Sequence, residues 1–172
     1  MTDAHDHEQG QDQDHVHEHD DFHQRLHHVG PAGLLSDTTQ TSGMRRVEAI
    51  SGRTVGAANL WMGETHVAAA TRSGNHHHGR SETAIFVSQG HPVFVFLEPG
   101  TDGGPGREVR IETSPGDYVF VPPWVPHREE NPDPDEEAVV VIARTTQEAI
   151  VVNVPDLRWV GSVGTTGRVD DV

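Results

Sequence analysis

From Met44 onward, the chain consists of short runs of β-forming residues that are separated by glycine and proline. This pattern is typical of an all-β sandwich or barrel, and no stretch keeps the long apolar period of a helix. We therefore predict few helices and a series of short strands. The predicted strands are Arg45–Ile50, Asn59–Ala69, Ser81–Ser88, Pro92–Leu97, Glu108–Thr113, Tyr118–Val121, His127–Glu130, Ala138–Arg144 and Ala149–Val154.

Alternation within the run Ser81–Ser88 predicts what each of its faces covers. Side chains of successive strand residues point to opposite faces, so the face that carries Glu82 also carries Ala84, Phe86 and Ser88. We predict that this face lines the interior cavity of the barrel.

Three consecutive histidines lead into this run. In an extended chain His76 and His78 share one face and His77 points to the other, and Glu82 has the parity of the first two. Two neutral imidazoles and a carboxylate that converge form a site suited to divalent first-row metals. The spacing therefore predicts a metal site at the start of the strand.

A downstream segment supplies a fourth candidate ligand, His127. It follows the predicted strand Tyr118–Val121 and a turn with three prolines, whose fixed φ angles hold the imidazole in place. Glu129 shares its parity and should enter the same cavity, where it is our candidate catalytic acid–base group. The alternative is that Glu129 accepts hydrogen bonds and only orients a ligand. Trp124, within the proline turn, is a candidate to shape substrate entry.

With these two segments in place, the chain resembles a cupin. The first cupin motif reads G-x5-H-x-H-x3,4-E-x6-G, and His76, His78 and Glu82 fall on its ligand positions. Gly90 closes the motif one residue late, and Ala70 stands where the opening glycine belongs.

The second cupin motif reads G-x5-P-x-G-x2-H-x3-N. Gly116, Pro122, His127 and Asn131 fall on it in register, and Trp124 replaces its middle glycine. Both departures concern local turns and leave the ligand positions filled.

The resemblance implies a double-stranded β-helix, the cupin jelly-roll barrel, over residues 44–155. Residues 1–43 would form a His/Asp/Glu-rich tail and linker, and residues 156–172 a C-terminal tail. The barrel would hold one divalent transition metal, Fe, Mn, Ni, Co or Zn. Its implied ligands are His76, His78, Glu82 and His127.

A second subunit is also implied. The run Ala138–Arg144 is almost continuously apolar, as for a strand that is covered on both faces. Small cupins commonly bury such a surface against another copy, so the resemblance implies a homodimer.

A histidine run is also common in solvated patches and purification tags, and a histidine after prolines is often only a turn residue. That interpretation leaves the spacing of Glu82, Gly116 and Asn131 to chance, so we favour a metal site. A cupin that keeps the fold without binding metal is a further alternative. Four filled ligand positions count against it.

Composition narrows the classes of partner. The length of 172 residues fits one domain plus tails, and the formal net charge of −15, without any lysine, argues against nucleic-acid and anionic-membrane partners. The absence of cysteine excludes disulfides and thiolate zinc sites.

No apolar run approaches the roughly 20 residues of a membrane span, and the N-terminus lacks the apolar core of a secretion signal. We therefore expect a cytoplasmic protein.

Residues 1–30 carry eight histidines and eight acidic residues against one arginine. Such a segment has too few apolar residues for a core, so we expect it to be disordered. It is either a weak metal-capturing arm or a solubilising tail.

The leading functional hypothesis is a metal-dependent cupin enzyme that acts on a small, metal-chelating organic substrate. Dioxygenase chemistry comes first, and isomerase, decarboxylase or lyase chemistry follows. The alternative is a non-enzymatic metal- or small-ligand-binding module, to which the His-rich tail delivers ions. The fold alone does not decide between them.

Overall fold

The structure is a computed structural model that describes residues 25–38, 40–41, 43–100, 106–147, 151–155 and 157, and the backbone of 164–165. Its helices are a 3-10 turn at Pro31–Gly33 and the one-turn helix α1 (Gly52–Val55). Its strands are β1 (Met44–Ile50), β2 (Trp61–Val67), β3 (Thr71–Arg72), β4 (His76–His77), β5 (Thr83–Gln89), β6 (Val93–Glu98), β7 (Arg107–Glu112), β8 (Tyr118–Val121), β9 (His127–Asn131), β10 (Ala138–Arg144), β11 (Val152–Asn153) and β12 (Gly164–Thr165).

The strands form two sheets. One has the order β1-β2-β10-β5-β8 and is antiparallel throughout. The other has the order β11-β4-β9-β6-β7-β12, with β3 paired to β9. The all-β jelly-roll prediction is thereby confirmed, and β8 and β10 have the bounds predicted for them.

The apolar core lies between the sheets. Alternate residues of the strands point inward; on β10, for example, the inner face buries Val140 and Ile142. Each such side chain stabilises the fold by about 1.5–3 kcal/mol when fully buried. The main cluster comprises Trp61, Ile85, Val87, Phe94, Val121, Val140 and Ile142.

The prediction for the two faces of β5 was wrong. Ile85 and Val87 point into the core, whereas Ala84 and Ser88 are exposed and Phe86 is half-buried on the outer face. Glu82 shares this exposed face, and a turn at Gly79 between His78 and β5 prevents the parity of His76 and His78 from extending to it.

The outer face of the first sheet is rich in apolar side chains. Phe86 packs against Tyr118 with ring centroids 4.9 Å apart, and Tyr118 and Phe120 are 79% and 61% exposed. The homodimer, expected from the run Ala138–Arg144, stays a prediction.

The segment before β1 runs along the barrel. Leu35 forms a β-bridge with Glu48 of β1, and Gln40 bonds to the backbone of Arg46. Residues 1–24, which hold most of the predicted His-rich tail, lie outside the described residues. Of the predicted last strand, Ala149–Val154, residues 149–150 also lie outside the described residues, and β11 forms part of the rest.

Asn131 ties the end of β9 to two loops. Its amide nitrogen donates to the carbonyl oxygens of Val67, Ala68 and Glu136 at 3.1, 3.2 and 2.7 Å. The asparagine of the second motif is therefore a structural residue that fixes the strand from which His127 projects.

Within the described ranges, no helix has the length and apolar character needed to cross a membrane.

Candidate metal centre

Four buried side chains meet on the inner face of the second sheet. His76 of β4 and His127 of β9 are direct partners in the antiparallel pairing, and His78 follows β4 by one residue. Glu129 lies two residues beyond His127 on β9, so it points to the same side. One ligand atom from each of the four lies within 4.8 Å of the others.

Each imidazole is held through its Nδ1 atom. His76 Nδ1 donates to the carbonyl oxygen of Gly74 at 2.9 Å, and His127 Nδ1 donates to that of Val125 at 2.9 Å. His78 Nδ1 lies 2.8 Å from the hydroxyl oxygen of Thr83. These bonds fix the ring orientations, and in His76 and His127 they place a proton on Nδ1, so that Nε2 carries the lone pair when the ring is neutral.

The three Nε2 atoms are the unusual feature. All three are buried, and none has a hydrogen-bond partner among the described residues. Buried polar atoms are nearly always satisfied, so three unsatisfied nitrogens in one place require a reason. A divalent cation bound between them supplies one, since neutral imidazole nitrogens and a carboxylate are ligands that first-row metals accept. The donor set therefore fits the metal that the fold family implies.

The electrostatics favour the same protonation states. Burial, helped by the charge of Arg144, holds the pKa of His78 far below its usual value, and burial lowers the pKa of His127 to about 4. Both rings are therefore neutral near pH 7, as metal ligands must be.

Glu129 is ionised in this setting. Burial alone would raise the pKa of Glu129, but the positive charge of Arg46 and a hydrogen bond from Ser73 act in the other direction, as His76 and His127 do in their charged forms, and the pKa lies below its usual value. Its carboxylate oxygens lie 3.6 Å from His76 Nε2 and 3.8 Å from His127 Nε2. The cluster thus brings three imidazoles and one carboxylate together, poised for metal binding.

The structure corrects the predicted position of Glu82. Its side chain is exposed and lies outside the cluster. Gly79 adopts a φ of 57°, and Ser81 N donates to the His78 carbonyl oxygen at 3.1 Å, so a turn separates the histidines from β5. Parity counted across that turn fails.

The first motif allows three or four residues between its second histidine and its acid. The longer spacing falls on Thr83, and this residue is the one that points inward, with its hydroxyl on His78. The carboxylate of the cluster comes instead from Glu129 on another strand.

A protein-family model described as a cupin domain matches residues 63–143. The chain carries a cupin domain. No curated protein matches the sequence.

Solved structures agree with the assignment of the fold. The polyketide cyclase RemF from Streptomyces resistomycificus is 20% identical, with a TM-score of 0.56, and the match covers 76% of this chain and 86% of that one. An oxalate oxidase in complex with the substrate analogue glycolate is 21% identical, with a TM-score of 0.57, and the match covers 70% of this chain and 61% of that one. A mutant of Bacillus subtilis oxalate decarboxylase OxdC is 16% identical, with a TM-score of 0.56, and the match covers 69% of this chain but 30% of the enzyme.

Two tryptophans of the barrel differ in their burial. Trp61 is buried in the core, and Trp124 is 64% exposed. Trp124 N donates to the Gly79 carbonyl oxygen at 2.8 Å, and its ring lies 5.7 Å from that of His77. The proline turn is thus fastened to the histidine segment on the outside of the cluster.

Sequence reasoning missed two inward-pointing arginines of the cupin barrel and one serine. Arg46 and Arg144 are both buried, and Ser73 bonds to Glu129. The alternation in β10 could have predicted that Arg144 points inward, because Arg144 lies on the same face of the strand as Ile142 and Val140. Ser73 carries no such signal, since its role depends on a strand far along the chain.

Proposed function

We propose that this chain is a metal-dependent cupin enzyme that acts on a small, metal-chelating organic substrate. Dioxygenase-type oxidation is the first candidate reaction, and isomerase, decarboxylase or lyase chemistry comes next. The metal would be one divalent ion of Fe, Mn, Ni, Co or Zn.

The observation that carries this proposal is the convergence of three buried, unsatisfied Nε2 atoms with an ionised carboxylate. His76, His78, His127 and Glu129 would hold the ion, so Glu129 replaces Glu82 in the ligand set expected from sequence. When bound, the ion would supply Lewis acidity, or dioxygen activation if it is redox-active, at coordination positions that four protein ligands leave open.

The residues around the cluster orient its imidazoles by hydrogen bonds. Gly74, Val125 and Thr83 fix the imidazoles, which keeps the lone pairs directed to one point. Because the four side chains are almost fully buried, they exclude bulk water and would strengthen electrostatic contacts with a substrate.

The structural relatives support an enzyme rather than a structural protein. RemF is a cyclase, and the others are an oxalate oxidase and an oxalate decarboxylase; one OxdC structure concerns its Mn(II) centres. Since all three are 21% identical or less, they support the class of function and leave the reaction open.

The first experiment counts metal in matched variants of the full-length chain. His127→Ala removes one proposed ligand, and His77→Ala is the control, because His77 lies between two ligands but points away from the cluster. We expect His127→Ala to lose one ion per chain relative to wild type and His77→Ala to lose none. The histidines of the tail are the same in all three proteins, so the difference reports the barrel site. Equal metal content in the two variants would refute the site.

The second experiment separates an enzyme from a binding module. Metal-loaded protein is screened with diketones, catechols, hydroxy acids and oxo acids, and oxygen consumption and product formation are followed. Turnover that disappears in His127→Ala and persists in His77→Ala supports the enzyme. Metal retention without turnover across the screen favours the binding module.

A further inference from the structure

A closed ring of ion pairs lies on the face of the second sheet opposite the cluster. It is formed by Glu108 and Arg110 of β7 and by Arg128 and Glu130 of β9. The Arg110 nitrogens lie 2.6 Å from Glu130 Oε2 and 3.7 Å from Glu108 Oε1. The Arg128 nitrogens lie 2.7 Å from Glu130 Oε1 and 3.2 Å from Glu108 Oε2. Each carboxylate therefore uses one oxygen for each arginine, and the four side chains form one network.

The ring bridges a whole strand. β6 lies between β7 and β9, and its Val95 pairs with Arg110 on one side and with Arg128 on the other. Val95 is 0% exposed although it alternates with the core residue Phe94, so the outer face is covered at this point. Isolated exposed ion pairs contribute little, but these side chains are only 12–28% exposed and act together. The ring thus fixes the position of β9 relative to β7.

β9 connects the ring to the metal ligands. Burial alternates along this strand, so His127 and Glu129 point inward while Arg128 and Glu130 point outward. Each ligand of β9 is therefore next to a residue of the ring. β6 supports one edge of β9 along four residue pairs, whereas β4 meets the other edge through one pair and β3 through two. The edge that faces the other histidines is the less supported one.

We propose that the ion-pair ring positions His127 and Glu129, so that Arg110 raises the affinity of the barrel for its divalent metal. No residue of β7 belongs to the cluster, so Arg110 is a positioning residue that acts through β9. Ligands must be held within about 0.5 Å of the required geometry, and groups that orient them contribute about 10–100-fold in metal affinity. This inference rests on the proposed metal function and concerns the tuning of the same site.

The sign of the effect separates positioning from simple electrostatics. Loss of a positive charge near a cation site should strengthen cation binding, because it removes a repulsion. If Arg110 positions the ligands, its loss should weaken binding instead. Arg110→Met is the variant to use, since methionine keeps an unbranched apolar stem next to Val95 and removes the charge.

The test measures Co(II) affinity on the full-length protein by competition with a chromogenic chelator. Arg110→Met should bind Co(II) about tenfold less tightly than wild type. The absorption bands of protein loaded with one equivalent of Co(II), which report ligand geometry, should shift in this variant. Arg107→Met is the matched control, because Arg107 also lies on β7 but pairs with Glu98 at an exposed site outside the ring. It should keep both the affinity and the spectrum of wild type, and Arg110→Lys, which keeps the charge, should lie between wild type and Arg110→Met.

Equal Co(II) affinity in Arg110→Met and Arg107→Met, or tighter binding in Arg110→Met, overturns the inference. If Arg110→Met fails to fold, as judged by circular dichroism, Arg110→Lys decides in its place, and an affinity equal to that of wild type then overturns it. His127→Ala, measured in parallel, separates the inference from the proposed function. Loss of Co(II) in His127→Ala with unchanged binding in Arg110→Met removes the role of the ring and leaves the metal centre intact. Full Co(II) binding in His127→Ala refutes the centre itself.

Discussion

Ser73 and Glu129 are joined by three hydrogen bonds, although 56 residues separate them in the chain. Ser73 N donates to the Glu129 carbonyl oxygen at 2.8 Å, and Glu129 N donates to the Ser73 hydroxyl at 3.0 Å. The same hydroxyl donates to Glu129 Oε2 at 3.0 Å. The serine therefore fixes both the strand and the carboxylate that faces the histidines.

Ser73→Ala should weaken metal binding while the barrel still folds. The substitution removes both hydroxyl bonds and leaves the backbone bond, so Glu129 loses its orientation; groups that orient ligands typically contribute about 10–100-fold in affinity. Competition with a chromogenic chelator measures this loss. Ser88→Ala is the control, because Ser88 bonds to the Val139 carbonyl oxygen on the outer face of β5. Equal affinity in the two variants would show that Ser73 has no part in the site.

Ala70 and Trp124 adopt a positive φ angle at two positions where the cupin motifs have glycine. Among the described residues other than glycine, these two have positive φ, 49° and 66°, and both stand where the cupin motifs have glycine. Residues with a Cβ pay about 1–2 kcal/mol in this region. The departures from the motif thus leave the turns in place at a cost in stability.

Ala70→Gly should consequently raise the free energy of unfolding. The relief of strain exceeds the added entropy of the unfolded chain, and we expect a net gain of about 0.5–1 kcal/mol. Ala84→Gly, in the extended strand β5, should instead lower it by about 0.5–1 kcal/mol. Urea unfolding of both variants gives the comparison. A loss of stability in both would mean that Ala70 is not strained.

Periodicity and turn residues predicted the strands well, because each signal is local. The same reasoning misplaced Glu82, since the turn at Gly79 depends on a φ angle of 57° that alternation does not encode. Ser73 and Arg144 act on residues of other strands, so their roles appear only once the strands are paired.

Glu48 predicts how stability depends on pH. Burial opposes its ionisation, but hydrogen bonds from Arg53 and Ser51 outweigh burial and lower the pKa of Glu48 below its usual 4.5. The folded state therefore favours the carboxylate, so this stabilisation is complete above about pH 4.5 and is lost as the pH falls through the lower folded pKa.

The measurement compares wild type with Glu48→Gln by urea unfolding at several pH values. The difference in unfolding free energy should be largest near neutral pH and shrink in acid. Glu82→Gln, at an exposed site, is the control for loss of a carboxylate as such. A wild-type advantage over Glu48→Gln that does not change with pH would contradict the assignment.

Removal of residues 1–30 should lower the number of ions bound and leave thermal unfolding of the metal-loaded barrel unchanged. The segment carries eight of the 14 histidines, and its composition cannot bury a core. At its described end, Leu26 is 98% exposed. Metal counting and calorimetric melting of the truncated and full chains test both parts. A large fall in the melting temperature would show that the segment packs on the barrel.

The exchange of Glu82 for Glu129 in the proposed ligand set gives the sharpest prediction. Glu129→Gln keeps the shape of the side chain and its bond to Ser73 but removes the charge, so metal affinity should fall at least about tenfold, in line with loss of a charge-assisted contact. Glu82→Gln should leave affinity unchanged, because that carboxylate is exposed and outside the cluster. If Glu129→Gln instead keeps its metal and loses about 10²–10⁴ in turnover, Glu129 is the acid–base group first predicted and not a ligand. If Glu82→Gln is the variant that loses metal, the spacing of the first motif outweighs the geometry seen here, and the turn at Gly79 must rearrange when the ion binds.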